Sequence, residues 1–177
     1  MTVHAFVDES RRNDTYLLAV AVIQPQDLTR LRKHLRGLLL PGQRELRFHK
    51  EKPARRRLLL ASVVKFDFRV DVYRSGCRSS EEAARQKCLA RATGDLLDLR
   101  MGRLVLDSRS GRDRIDQLTI QRVLADRPRR DEVAYEHWDS TSEPLLWTAD
   151  LAAWCFGAGG DWARRAAPVL GAVIDVK

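Results

Sequence analysis

The chain has 177 residues and a mass of 20.2 kDa, the size of one compact domain that buries roughly 70% of its unfolded surface, so it needs no disulfide staples. Its three cysteines, Cys77, Cys88 and Cys155, form no C-x-x-C pair and match no zinc spacing, and its longest apolar run, residues 17–23, is far below the ~20 residues of a membrane span. A disulfide framework, a zinc finger, a signal peptide and a membrane span are therefore not expected, and a reducing cytoplasm fits best. With 44% hydrophobic residues and 32 basic against 24 acidic side chains, a net charge of +8, the composition is that of a folded domain with a surface suited to a polyanion.

No repeat or Pro/Gly-rich linker divides the chain, so residues 1–177 are read as a single domain. Residues 2–7 form a first strand and residues 15–23 a second, both buried on two faces, joined as an antiparallel hairpin by a loop over 11–14. Pro25 opens a helix whose leucines at 28, 31, 35, 38 and 39 keep helical spacing until Pro41-Gly42. A basic connection follows. Between Arg44 and Arg57 seven basic residues face Glu45 and Glu51 alone, a local excess of five charges.

Pro53 starts a second helix to about residue 64, after which Phe66, Phe68, Val70 and Val72 alternate with polar residues, the pattern of a half-exposed strand at a sheet edge. Ser79-x-x-Glu82 reads as a capping box for a long helix. Then come a short buried strand over 104–106 closed by Asp107, a helix over 114–124, a strand over 131–138, and a strongly apolar helix over 144–156 stopped by glycines. Residues 162–177 fit no single element. The order predicts a mixed sheet of five strands with helices on its faces.

Three carboxylates sit inside apolar sequence. Asp8 ends the first strand, Asp107 ends the LVL strand, and Asp150 interrupts the helix LLWTADLAAW on the face of Leu146, Ala153 and Trp154. Each alone is explained by an arginine partner or a capped turn. Two strand-terminal aspartates on adjacent parallel strands, however, would stand about 4.8 Å apart and share a hard cation. Oxygen-only ligands without His or Cys select Mg²⁺ or Mn²⁺ over zinc, and a pair of such ions is the usual clamp for displacement at phosphorus. The basic surface supplies a reason for a phosphate polymer to be present. Walker, Rossmann, zincin and serine-hydrolase motifs are absent.

The segments FVDES (6–10), ELRFHK (45–50), LVLDSR (104–109) and WTADLAAWCFGA (147–158) together resemble the domain-of-unknown-function 3800 family. The sequence departs from that family at Arg11, where a glycine is usual. The resemblance implies an α/β ribonuclease H-like fold, a mixed five-stranded sheet with helices on both faces. It further implies a metal-dependent nuclease acting on RNA or DNA through two Mg²⁺ or Mn²⁺ ions. Asp8 would bridge both ions, Asp107 and Asp150 would hold one each, and Glu45 would be the fourth acidic ligand. Glu9 is an alternative fourth carboxylate, although strand alternation points it away from Asp8. Arg44, Arg47, His49, Lys50, Arg55 and Arg109 are the expected nucleic-acid contacts, and His137 with Asp139 reads as structural. The competing expectation is a non-catalytic nucleic-acid-binding or adaptor protein whose carboxylates pair with arginine.

Overall fold

A computed structural model describes residues 2–177. The hairpin is longer than expected. β1 (Val3–Arg12) and β2 (Thr15–Ile23) pair down to Arg12 and Thr15, with the turn at Asn13 and Asp14. Asn13 takes the left-handed backbone at φ 53° that such a tight turn demands. Arg11 therefore continues the strand, and no turn needs a glycine there. The chain goes on through α1 (Leu28–Gly37), α2 (Pro53–Val63), β3 (Arg69–Gly76), α3 (Glu81–Asp98), β4 (Met101–Asp107), α4 (Asp113–Leu124), β5 (Ala134–Trp138), α5 (Leu146–Ala158), α6 (Gly160–Ala166) and β6 (Leu170–Asp175). The cap of α3 is Ser80, one residue past the expected Ser79, and its hydroxyl accepts the Ala83 N–H at 3.1 Å.

The mixed sheet has six strands rather than five, in the order β5-β4-β1-β2-β3-β6. β1, β2 and β3 are antiparallel neighbours, while β4 lies parallel to β1, β5 to β4 and β6 to β3. One face, through Phe6, Ala19, Ala21, Val70 and Val105, packs on α1, α2 and α5. The other, through Ala5, Val7, Leu18, Val20, Leu104 and Leu106, packs on α3 and α4. Alternating side chains over residues 5–7 of β1 thus feed two separate cores, which is why that stretch shows no polar face. Among the described residues no helix is long and apolar enough to cross a membrane.

The sixth strand corrects the expectation that residues 66–72 form an edge. β3 lies inside the sheet, and its outward-looking Asp71 is only 7% exposed because Oδ1 accepts the Ala172 N–H of β6 at 2.9 Å. This bond sits where the β3–β6 register slips between Val70 and Val72. Asp71→Ala leaves that amide without its partner, so a loss of about 1–3 kcal/mol is expected. Faster amide exchange confined to β6 would register it; unchanged protection there would show that the strand holds without Asp71.

Candidate active site

Val7 of β1 pairs with Leu106 of β4, so Asp8 and Asp107 follow as the next residue on each of two adjacent parallel strands. Both share parity with Phe6 and Val105, the residues packed toward α5. Helix α5 is apolar nearly all round and mostly buried on the sheet; Asp150, half-buried, is its one charged residue. The three carboxylates line one open cleft of about 440 Å³, with Arg12, Arg47, His49 and Trp154 among its other walls. Residues 102 positions apart also meet here, since Asp150 Oδ2 accepts the backbone N–H of Phe48 at 2.9 Å. That contact fixes the basic connection against the cleft, because Leu46 and Phe48 are buried while Arg47 and His49 between and beyond them face out.

Among the described residues, Asp8, Asp107 and Asp150 form no ion pair, whereas neighbouring acids do: Glu45 with Arg47, Glu9 with Arg85, Asp116 with Arg85 and Arg109. Asp8 accepts only the Glu9 N–H, at 2.7 Å. Burial, then the charges of Asp150 and Asp107, hold its carboxyl well above the usual carboxylate range. Burial likewise lifts Asp107 to about 6, partly offset by Arg47 and reinforced by Glu45, Asp139 and Asp150. Asp150 is raised by burial, against the Phe48 N–H, His49 and Arg47. Carboxylates that hold protons this firmly are short of positive charge.

No three His, Cys, Asp or Glu side chains among the described residues are placed to hold an ion as they stand. The donor chemistry still fits a hard divalent cation: half-buried carboxylate oxygens, unpaired, with no thiolate beside them. Glu45 is not with the other three. Its Oε1 accepts Arg47 Nε at 2.5 Å and its Oε2 accepts the Ser140 hydroxyl, which holds it in a neighbouring recess with Arg44 and Lys50. Glu9 points to the opposite face of the sheet, where Tyr16 and Arg85 bind it.

Of the expected nucleic-acid contacts, Arg47 and His49 stand exposed at the cleft and Arg44 and Lys50 beside it. Arg55 and Arg109 do not line the cleft. Arg55 is half-buried, donating to the Leu38 carbonyl and lying 3.5 Å from Glu51. Arg109 turns to the other face of the sheet, onto Glu82 and Asp116. His137 lies there too, with Nε2 3.0 Å from Asp116 Oδ2, in keeping with a structural role. Sequence reasoning missed Arg12 and the placement of Trp154 in the cleft wall. The signal was parity: Asp8, Ser10 and Arg12 share a face once β1 is known to run to Arg12.

No protein-family model matches the chain, and no curated protein matches it in sequence. Among solved structures, the complex of PCNA with RNase HII from Archaeoglobus fulgidus aligns with a TM-score of 0.61 at 19% identity, over 88% of this chain and 73% of that one. The fold is ribonuclease HII-like. At that identity the likeness extends to the backbone arrangement, and the chemistry of the cleft has to be argued from the cleft itself.

Proposed function

We propose that the chain is a metal-dependent nuclease, a single ribonuclease H-like domain that hydrolyses phosphodiester bonds of RNA or DNA, and a member of the domain-of-unknown-function 3800 family whose motifs it resembles. The observation that carries this reading is the convergence of Asp8, Asp107 and Asp150 on one cleft, none of them in an ion pair among the described residues. Repulsion of that kind is costly to maintain and makes sense where a dication is to be held. The three free, buried cysteines suit a reducing cytoplasm.

Asp8, Asp107 and Asp150 would hold Mg²⁺ or Mn²⁺, two ions by the family resemblance, with Glu45 joining only if it leaves Arg47 and Ser140. Bound there, such ions lower the pKa of an attacking water and neutralise charge gathering on the phosphate. Arg47 and His49 at the cleft, with Arg44 and Lys50 beside it, draw in and orient the phosphate backbone. Water adds to phosphorus and the bond to the 3′ oxygen breaks, leaving a 5′-phosphate and a 3′-hydroxyl.

Labelled RNA and DNA strands incubated with the protein and Mg²⁺ or Mn²⁺ test the reading. Asp107→Asn is expected to lower the cleavage rate by about 10²–10³-fold, the scale seen when a group stabilising transition-state charge is removed. An unchanged rate rejects the proposal. The engagement of Glu45 by Arg47 and Ser140 favours a second reading, a non-catalytic nucleic-acid-binding or adaptor protein. That reading expects Asp107→Asn to cost stability and Mg²⁺ to leave the melting temperature where it is.

A further inference from the structure

Two of the three arginines that line the cleft already have an anionic partner. Arg47 is tied to Glu45 at 2.5 Å and Arg11 to Glu81 at 2.9 Å. Arg12 differs. It lies on the cleft side of β1, lines the cleft, and forms no ion pair among the described residues. Its guanidinium is steered by α5 instead: Nη2 donates to the Trp154 carbonyl at 3.4 Å, and the group lies over the Trp154 ring at 5.4 Å from its centroid. The stem of Arg12 runs so close to α5 that a Cβ on Gly157 would meet its Cγ and Nε at 2.9 Å. A helical glycine therefore leaves the room in which this arginine lies.

Trp154 itself is fully engaged. Arg56 lies over the ring at 4.3 Å, and Phe48 and Trp162 meet it edge-on at 5.3 and 5.4 Å. An indole spent on two guanidinium groups and two aromatic neighbours is a support for cations, not a platform for stacking a nucleobase.

We propose that Arg12, propped by Trp154 and given space by Gly157, is a phosphate-binding residue of the cleft that holds the backbone of a nucleic-acid strand without reading its bases. The inference rests on the nuclease reading for the class of ligand, and it adds a contact from β1 to those of the basic connection. A guanidinium with no carboxylate partner gives its full charge to a phosphate, and a contact of this kind is sequence-tolerant.

Fluorescence anisotropy with labelled oligo(dT) and oligo(U) tests it in the Asp107→Asn background, with Mg²⁺ present. Arg12→Gln is expected to weaken binding of both probes several-fold and to reduce the slope of log affinity against log salt by roughly 0.7, one phosphate contact on a single strand. Arg12→Lys recovers most of the loss, and Gly157→Ala, which displaces Arg12, reproduces part of it. Mn²⁺-induced thermal stabilisation of the otherwise native protein is unchanged by Arg12→Gln, which separates phosphate binding from damage to the carboxylate site. Affinity and salt slope equal to those of the background protein overturn the inference, even if the native protein cleaves. Arg12-dependent binding in a protein that never cleaves supports it and rejects the nuclease reading alone. A loss confined to one probe also overturns it, because the residue would then be reading the sugar or base.

Discussion

Asp8→Asn is expected to abolish metal-dependent cleavage and, in the absence of divalent ions, to make the protein more stable. The second effect follows from proton linkage. Asp8 and Asp107 have folded-state pKa values above their ordinary ones, so the folded state binds more protons than the unfolded chain. The stability these groups allow is complete below about pH 4 and is lost as pH rises, through about 6 for Asp107. Asp116 has the opposite sign. Its pKa is depressed by His137, Arg85 and Arg109 despite its burial, so its contribution is present at neutral pH and lost only in acid, outside that window.

Replacing Asp8 removes both its own desolvation and its repulsion of Asp107 and Asp150. After discounting for solvent reaching the open cleft, a gain on the order of 1 kcal/mol is expected, or about 2–4 °C in Tm for a domain of this size. The gain should be larger near about pH 8 than near about pH 5.5, and thermal melting in EDTA at both values reads it. With Mn²⁺ added the order reverses, because the native carboxylates gain more from the ion than the variant does. A metal-free Asp8→Asn protein that melts below the native one at both pH values would mean that Asp8 is neutralised by a partner, and the metal reading would fall.

Arg85→Met is expected to cause the largest loss of stability of any substitution considered. Arg85 is 1% exposed. Its guanidinium donates to Asp116 through Nε at 2.9 Å and Nη2 at 2.8 Å, and through Nη1 to Glu9 at 2.9 Å and the Tyr16 hydroxyl at 3.0 Å. Removing it strands Asp116, itself 0% exposed, with only Arg109 and His137 for partners. Breaking a buried pair from one side costs about 3–5 kcal/mol, here about 6–20 °C in Tm.

Arg85→Met combined with Asp116→Asn should recover a substantial part of the loss, because the uncompensated charge is gone. A double-mutant cycle by chemical denaturation measures that coupling, and additive losses would show that the two residues act independently. The same network reaches the cleft from behind. Glu9, held by Arg85 and Tyr16 on one face of β1, supplies the backbone N–H that Asp8 accepts on the other.

Much of this arrangement was legible before any coordinates. Asp8 and Asp107 each close an apolar run, and an aspartate at that position in two adjacent parallel strands lies at the same end of their pairing. Asp150 could be placed on a helix face by period alone. Arg85 could not. In the segment AARQKC it looks like any solvent-facing arginine, and only the meeting of α3 with α4 buries it on Asp116. Asp71 misled for the same reason, since an acid alternating with apolar residues reads as outward-facing until a neighbouring strand offers its N–H. β6 was illegible because four of its six residues are exposed, so its place is set by main-chain pairing with β3 rather than by an apolar pattern.

The sequence alone determined most of the strands and helices before residue 160 and where acids interrupt them, because hydrophobic periodicity is a local property of neighbouring residues. The tertiary structure decided which charges are free. Arg12, Arg85 and Arg109 carry identical guanidinium groups, and no local pattern distinguishes them. The acids that bind Arg85 and Arg109 lie on other elements and Arg12 has none among the described residues, because charge pairing depends on distance and burial in three dimensions.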